Sequence, residues 1–582
     1  MTELQRDTET ETETAMAMDA QQPTNIPSPT PHAAPGPERP DAASDEGAVP
    51  HDALVAARRE KLRRHREELG LEPYGVRVDG IEPLAGARAR FDESAHAQHE
   101  AAAAAAKAGA GAAPAAQTED PRARVRVAGR VVQHRDLGKL VFAWLRDHSG
   151  DLQVSISRVA VDESGFALAK ALDYGDIVVA EGPIGRTQRG EVCVWADRLE
   201  LHSKSLEPPP AKWHGLADPE LRYRHRYVDL FANPEVIRVA QLRSAMVSFI
   251  RRWMDGRGFL EVETPMLQPI AGGAAARPFV THHNALGIPL FMRVSPELYL
   301  KRLLVGGLPR VYEINRNFRN EGIDRSHNPE FTMMEAYEAF GDCFSMMELT
   351  ESLLHDLAGF MAEERARQGF APTAPAAAHA PGVRRGGPVL PFGELAIDWS
   401  RPFERVTYAD LFERALGFPM TDFAKARAAA AARRIEAAKL DDWFVVNELF
   451  ESVAEPLIDR ARPTFVLEFP SAISPLTRPN RRRPEIADRW DLFVGGMEIG
   501  PAYSELNDPD IQRAKFTEQL RGKDAEEEST YRSLDEDFLH ALRVGMPPAG
   551  GLGLGIDRIA MLLTDSPSIR DVVLFPLMRP RG

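Results

Sequence analysis

Residues 317–337, "NFRNEGIDRSHNPEFTMMEAY", set two arginines, a histidine, two phenylalanines and three glutamates around one turn. Read as a β-hairpin, the run puts alternate side chains on one face. Asn317, Arg319 and Glu321 then point together before the turn, and Phe331, Met333, Glu335 and Tyr337 share a face after it. Arginine is the natural bidentate partner of a phosphate. Glutamate accepts from an exocyclic amino group, and phenylalanine stacks on a base. One surface thus holds a phosphate binder, a base binder and carboxylates suited to an amine. The plain alternative is a surface hairpin whose charges pair among themselves.

Two further runs bear on that choice. "GGLGLGIDRIAMLL" (550–563) is a glycine-rich strand running into a helix headed by Asp557 and Arg558. It matches neither the dinucleotide pattern nor a P-loop, because no Lys-Ser/Thr pair follows. Glycines so spaced let a ligand approach the backbone, and Arg558 is placed to close over it. In "RWDLFVGGMEIGPAYSELND" (489–508), Gly495 and Gly496 suit a two-residue hairpin turn. That register sets Phe493 opposite Glu498, with Asp491 two residues back on the same face. Paired carboxylates suit a hard cation such as Mg²⁺, although an exposed acidic hairpin has the same pattern.

The elements that must position these residues belong to a chain of 582 residues, 43% hydrophobic and 27% charged, an ordinary globular composition long enough for several cores. No run of eighteen apolar residues and no apolar leader is present, so a soluble cytoplasmic protein without a membrane segment is expected. Cys193 and Cys343 stand alone, which argues against a disulfide framework or a cysteine zinc site. The net charge of −15 excludes a general basic footprint for nucleic acid, so such binding needs a dedicated module. Residues 1–50 read as a disordered tail. The segment 51–120 reads as a basic helix over 52–69 followed by an alanine-rich insertion, with 94–119 outside any core.

From 121 to 205 five β-like runs (125–132, 140–147, 151–157, 176–185 and 191–201) enclose a helical run between the third and fourth. This is the plan of a five-stranded OB-fold barrel, a common oligonucleotide binder. Residues 206–219 read as a linker. The second domain, 220–582, reads as α+β, an antiparallel sheet flanked by helices, with an exposed low-complexity insertion at about 368–388. Its first helix carries an apolar stripe of Leu242, Met246, Phe249 and Trp253, and "FLEVETP" follows as a strand stopped by Pro265.

Taken in order, "GFLEVETPML", "FRNE…HNPEF" and "GLGLGIDR" resemble the three motifs of a class II aminoacyl-tRNA synthetase catalytic domain. "THHNALGIPLFMRVSPELYLKRLLVGG" and "HNPEFTMMEAYEAF" bring the likeness to the bacterial-type lysyl-tRNA synthetases, over most of the chain. The resemblance implies a ligase that makes lysyl-adenylate from lysine and ATP and passes the lysyl group to the 3′ end of its tRNA. It places Arg319 on the α-phosphate, Glu321 at the adenine amino group, Phe331 under the adenine opposite Arg558, and His327 near the terminal phosphates. Asp491 and Glu498 would hold Mg²⁺. Glu297, Glu335 and the carbonyl of Gly273 would surround the α-amine of lysine, with Glu505 and Tyr337 at the ε-ammonium. Arg135, Phe142 and Gln153 fall where the OB-fold reads anticodon bases, with Phe142 as a barrel core residue the bland alternative. A homodimer is also implied, with the stripe on the 238–265 helix and strand at the subunit interface.

The chain departs from the family at Pro501, where many members have Asn for the substrate carboxylate, and at Asp491, where Glu is usual. An aspartyl- or asparaginyl-type synthetase shares the architecture but needs a cationic anchor where Glu505 stands. A lysyl transferase acting on a translation factor lacks the anticodon module. A silent RNA-binding paralogue would have no use for the full set of Arg319, Glu321, Arg558 and carboxylates.

Overall fold

The computed structural model describes residues 50–108, 120–208, 216–274, 276–370, 386–520 and 534–581. The tail expected over 1–50 lies outside these but for its last residue. So do 109–119 of the alanine-rich stretch, 209–215 of the linker and 371–385 of the insertion.

Three helices, α1 (His51–Glu67), α2 (Leu84–Ala89) and α3 (Glu93–Ala108), precede the barrel. Helix α3 covers the first part of the 94–119 stretch, where an alanine run favours helix, and stays outside the cores as expected. The barrel strands are β1 (Arg124–Asp136), β2 (Leu140–Asp147), β3 (Gly150–Ser157), β4 (Ile177–Arg186), β5 (Val192–Ala196) and β6 (Arg198–Ser203), with α4 (Glu163–Ala171) after β3. They run β1-β2-β3-β5-β4-β6, and a β1–β4 pairing closes five of them into a barrel. The last expected run is split at Asp197: β5 lies on β3 and β4, whereas β6 extends the far edge of β4. Alternation puts Val141, Ala143 and Leu145 in the barrel core. Arg58 of α1, itself buried, donates to the carbonyls of Tyr174, Ser205 and Glu207 and so ties the helix to the barrel.

Helices α5 (Pro219–Arg224), α6 (Arg226–Ala232) and α7 (Pro234–Asp255) lead into the large sheet. Its strands are β7 (Leu260–Glu261), β11 (Arg310–Phe318), β12 (Glu330–Ala339), β15 (Glu404–Thr407), β16 (Thr464–Leu467), β17 (Arg489–Val494), β18 (Met497–Ser504) and β19 (Ala549–Gly555). Strands β8 (Leu267–Gln268), β9 (Val280–His283) and β10 (Ile288–Met292) form a small sheet, and β13 (Val389–Phe392) with β14 (Leu395–Asp398) a hairpin. The large sheet runs β15-β16-β17-β18-β19-β12-β11-β7. Its centre is antiparallel as expected, but both edge pairs, β15–β16 and β7–β11, are parallel, so the sheet is mixed. Of "FLEVETP" two residues pair.

Helix α9 (Cys343–Arg367) opens with a capping box between Asp342 and Ser345 and packs with α7 on one face of the sheet. The apolar stripe of α7 is corrected here. Leu242, Met246 and Trp253 are buried in the chain's own core, and Phe249 stacks on Phe360 at 4.8 Å. The sheet itself needs cover, and this stripe supplies it. Helix α8 (Glu297–Val305) covers the other end. A separate cluster gathers α10 (Tyr408–Leu416), α11 (Phe423–Ala432) and α12 (Asp442–Leu449) around a Tyr408–Phe450 stack at 3.8 Å. Helix α12 runs into a π-turn, Phe450–Ala454, a form found most often near functional sites. Helices α13 (Pro509–Leu520), α14 (Glu536–Gly545), α15 (Ile556–Thr564) and α16 (Ile569–Val572) complete the chain.

Arg226 pins the C-terminal segment. Fully buried, it pairs with Asp229 at 2.6 Å and donates to the carbonyls of Arg570 and Leu574. Arg226→Ala strands these partners in the interior and is expected to cost about 3–5 kcal/mol in urea unfolding. Limited proteolysis should then cut first near residues 574–581.

Candidate active site

Strand β12 sits between β11 and β19, and β19 between β12 and β18. Residues 550, 551, 553 and 555 of β19 lack side chains, so its neighbours close in from both sides. The carboxylate of Asp557, 2% exposed, accepts from the backbone N–H of Thr332 at 2.7 Å and pairs with Arg243 of α7. One acidic side chain thereby locks α7, β12 and α15 together.

Above β12 and β19 lies a cleft of about 210 Å³. Arg319, Glu321, His327, Phe331, Glu498, Pro501 and Arg558 all line it, so the residues expected to contact ATP are brought together. The Arg319 guanidinium lies over the Phe331 ring at 5.1 Å. Arg558 donates to the Glu498 carbonyl at 2.5 Å and to His327 Nε2 at 2.8 Å. His327 Nδ1 in turn faces Asp324 at 2.8 Å, which assigns the proton to Nδ1. Pro501, paired across from Asp491, offers the cleft no donor.

The Gly495–Gly496 turn has φ of 65° and 80°, as a two-residue hairpin requires, and Phe493 faces Glu498 in register. Asp491 is not free, however. Arg489 holds it with two hydrogen bonds, at 2.8 and 2.6 Å. Burial pushes its carboxyl up despite Arg489, and Glu498 adds to the push. The π-turn brings up Glu451, and the short turn after it Glu455. Burial, then Glu498, Glu451 and Asp491, push Glu455 up to about 7. Among the described residues no three acidic, His or Cys side chains form a complete metal site.

Deeper, three carboxylates converge: Glu297 (5% exposed), Glu335 (3%) and Glu505 (1%). Ser295 and Tyr337 donate to Glu335 at 2.9 and 3.2 Å. Burial, with Glu297 nearby, pushes Glu335 up to about 8. Gly273 closes over the group, since a Cβ there would sit 3.1 Å from Ser295 and 3.5 Å from Glu297. Lys301 of α8 reaches Glu297 at 2.7 Å and Glu505 at 2.5 Å. Glu505, expected to be open to a ligand, already carries an internal ion pair.

On the barrel, Arg135 is exposed and paired in register with Phe142, whose ring lies outside the core, 6.4 Å from Trp144. The core alternative for Phe142 is thus set aside. Gln153, in register with Trp144, is 5% exposed.

Comparison with known proteins agrees with this geometry. The family described as tRNA synthetases class II (D, K and N) matches residues 218–579. This chain belongs to that family. An OB-fold nucleic acid binding domain matches residues 125–208. Similar curated class II relatives include the lysine–tRNA ligase of Pelotomaculum thermopropionicum, 43% identical over 91% of this chain and 95% of the relative. That of Cupriavidus necator is 42% identical over 92% and 97%, and that of Anaeromyxobacter sp. (strain K) 47% identical over 78% and 87%.

Sequence reasoning missed Lys301, Arg489, Trp144, Glu451 and Glu455. The Glu297–Lys301 spacing of four was a readable helix pair. Nothing local tied Glu451 and Glu455 to a hairpin more than thirty residues on.

A Cβ on Gly551 would lie 2.0 Å from Glu505 Oε1 and 2.5 Å from the Tyr337 ring, while one on Gly322 meets open space. Gly551→Ala should therefore lower stability by about 1–3 kcal/mol or more in urea unfolding. Gly322→Ala should stay within about 0.5 kcal/mol of the parent.

Proposed function

We infer that this class II synthetase is a lysine–tRNA ligase. One observation carries the choice among its D, K and N kin: Glu297, Glu335 and Glu505 are buried together, with one ammonium, that of Lys301, against Glu297 and Glu505. An aspartate side chain would meet three carboxylates there. A lysine brings two ammonium groups, and buried charges demand partners. The relatives described as lysine–tRNA ligases support the same reading.

In the reaction, the lysine carboxylate attacks the α-phosphorus of ATP and pyrophosphate leaves. The tRNA 3′-terminal hydroxyl then attacks the carbonyl of lysyl-adenylate and AMP leaves. No enzyme nucleophile is needed, so the protein supplies position and charge. Arg319 would hold the α-phosphate, Phe331 and Arg558 would sandwich the adenine, and Glu321 would accept from its amino group. His327, its proton fixed by Asp324, faces the terminal phosphates. Glu297, Glu335 and the Gly273 carbonyl take the α-amine, and Glu505 with Tyr337 the ε-ammonium. For Mg²⁺ the rim offers Glu498, whereas both oxygens of Asp491 are held by Arg489, so Asp491 would have to leave that pair to take part. Glu498, and Asp491 once released, would hold the ion, and bound there it would neutralise phosphate charge. Pro501 leaves the substrate carboxylate to Arg319 or water.

The outer barrel face of Arg135 and Phe142, with Trp144 added, suits unpaired anticodon bases, whereas Gln153, 5% exposed, would have to be uncovered to reach one. Among the described residues no helix is long and apolar enough to cross a membrane. A cytoplasmic site of action follows from the substrates.

The same reading includes a homodimer, through a different surface from the buried α7 stripe. The other face of α7, with Arg243, Val247 and Arg251, borders a groove of about 980 Å³ against the C-terminal segment. Leu574, Phe575 and Leu577 stand exposed on that segment at 46%, 68% and 58%. A second copy would cover them. Light scattering at micromolar concentration should give twice the chain mass, and Phe575→Glu should shift it toward the monomer.

Glu505→Gln tests the lysine assignment. It keeps size and removes charge, so kcat/KM for lysine in ATP–pyrophosphate exchange should fall at least about tenfold. Binding of a non-hydrolysable ATP analogue should change little. A well-folded variant with unaltered lysine kinetics would refute the assignment.

A further inference from the structure

Lys301 has no part in the chemistry just described, yet it lies between two of the three carboxylates. Its side chain is fully buried, one helical turn beyond Glu297 on α8. Its ammonium touches Glu297 Oε1 at 2.7 Å and Glu505 Oε2 at 2.5 Å. On the lysine reading, these two carboxylates serve opposite ends of the substrate. Lys301 therefore bridges the acceptor of the α-ammonium and the acceptor of the ε-ammonium.

The groups facing the bridge come from every wall. Glu297 lies on α8, Glu335 and Tyr337 on β12, Tyr503 on β18 and Glu505 just beyond it. Glu313 on β11 is taken by Arg293 at 2.7 Å. Three carboxylates thus face one ammonium, a shortfall of two positive charges, and lysine carries two ammonium groups. Remove Lys301, and Glu297 and Glu505 are buried with no cation in the empty pocket. Such acids take up protons, and a protonated acid has no charge to offer a substrate. The free oxygen of Glu505 is buried against Gly551 with no hydrogen-bond partner of its own.

We propose that Lys301 is a positioning residue for amino-acid selection: its ammonium opposes the protonation that burial favours at Glu297 and Glu505 in the empty pocket, and it orients them with one oxygen of each left to the substrate. The distance between those oxygens gauges the substrate's length, favouring lysine over ornithine. The proposal rests on the lysine reading, and its test separates the two.

Calorimetric titration of lysine, ornithine and a non-hydrolysable ATP analogue into wild type and Lys301→Met, at pH 7.0 and 8.5, is the experiment. Wild type should bind lysine well ahead of ornithine. Lys301→Met should bind lysine at least tenfold more weakly at pH 7.0 and recover part of the loss at pH 8.5, as the freed acids ionise. Its preference over ornithine should shrink, and the ATP analogue should bind as before. If Lys301→Met does not fold, Lys301→Gln takes its place. Should neither fold, Lys301→Arg decides: the retained charge should keep the wild-type pH slope, while the longer fork reduces the preference over ornithine. No lysine binding by wild type overturns the lysine reading itself. Wild-type affinity and pH slope in an uncharged variant overturn the role of Lys301, as does equal loss of lysine and ATP-analogue binding at both pH values. An unaltered lysine-to-ornithine preference in Lys301→Arg does the same.

Discussion

Strand β19 must have almost no side chains on its active face, and the site is built around that constraint. A Cβ on Gly500 would come within 1.7 Å of the Gly553 carbonyl, so β18 and β19 approach more closely there than any side chain allows. The space so released holds Glu505 and Tyr337 against Gly551 on one side and opens the cleft over Gly553 and Gly555 on the other. Glycine in a strand interior costs stability, about 0.5–1 kcal/mol each relative to Ala. Burial of Leu552 and Leu554 on the opposite face, and the Asp557 junction at the strand's end, offset that cost.

The two ends of the site differ in electrostatic character. The cleft presents guanidinium groups and an aromatic ring, matched to phosphates and a base. The deep pocket and the Asp491–Glu498 rim hold more carboxylates than cations, and burial raises Glu335, Glu505 and Glu455. The excess in the pocket suits an ammonium carried in by a ligand. Empty, the pocket is a poor place for carboxylates. Filled with lysine, it sets three ammonium groups against three carboxylates, with the substrate carboxylate left to Arg319 or water.

Much of this was legible in the chain because period-two alternation is local. The hairpin faces at 317–337 and 489–508 follow from spacing, and the structure keeps the Phe493–Glu498 register. The split of 191–201 at Asp197 was not legible, since both halves are equally β-prone and barrel closure alone decides the break. The α7 stripe was visible, but periodicity says that a face is buried and not against what. Helix α3 was hidden by composition: an alanine run reads as low complexity and as helix alike. Within the site, Lys301 and Arg489 escaped notice because their importance lies in which carboxylates they reach, a matter of tertiary packing.

Three buried carboxylates beside the cleft are inferred to select lysine for adenylation. ATP–pyrophosphate exchange by the full-length protein, with lysine, aspartate and asparagine offered separately in the presence and absence of Mg²⁺, tests it most directly. Exchange is expected with lysine and Mg²⁺, and none with the other two amino acids or after chelation. Comparable exchange with aspartate or asparagine, or none with lysine, would contradict it.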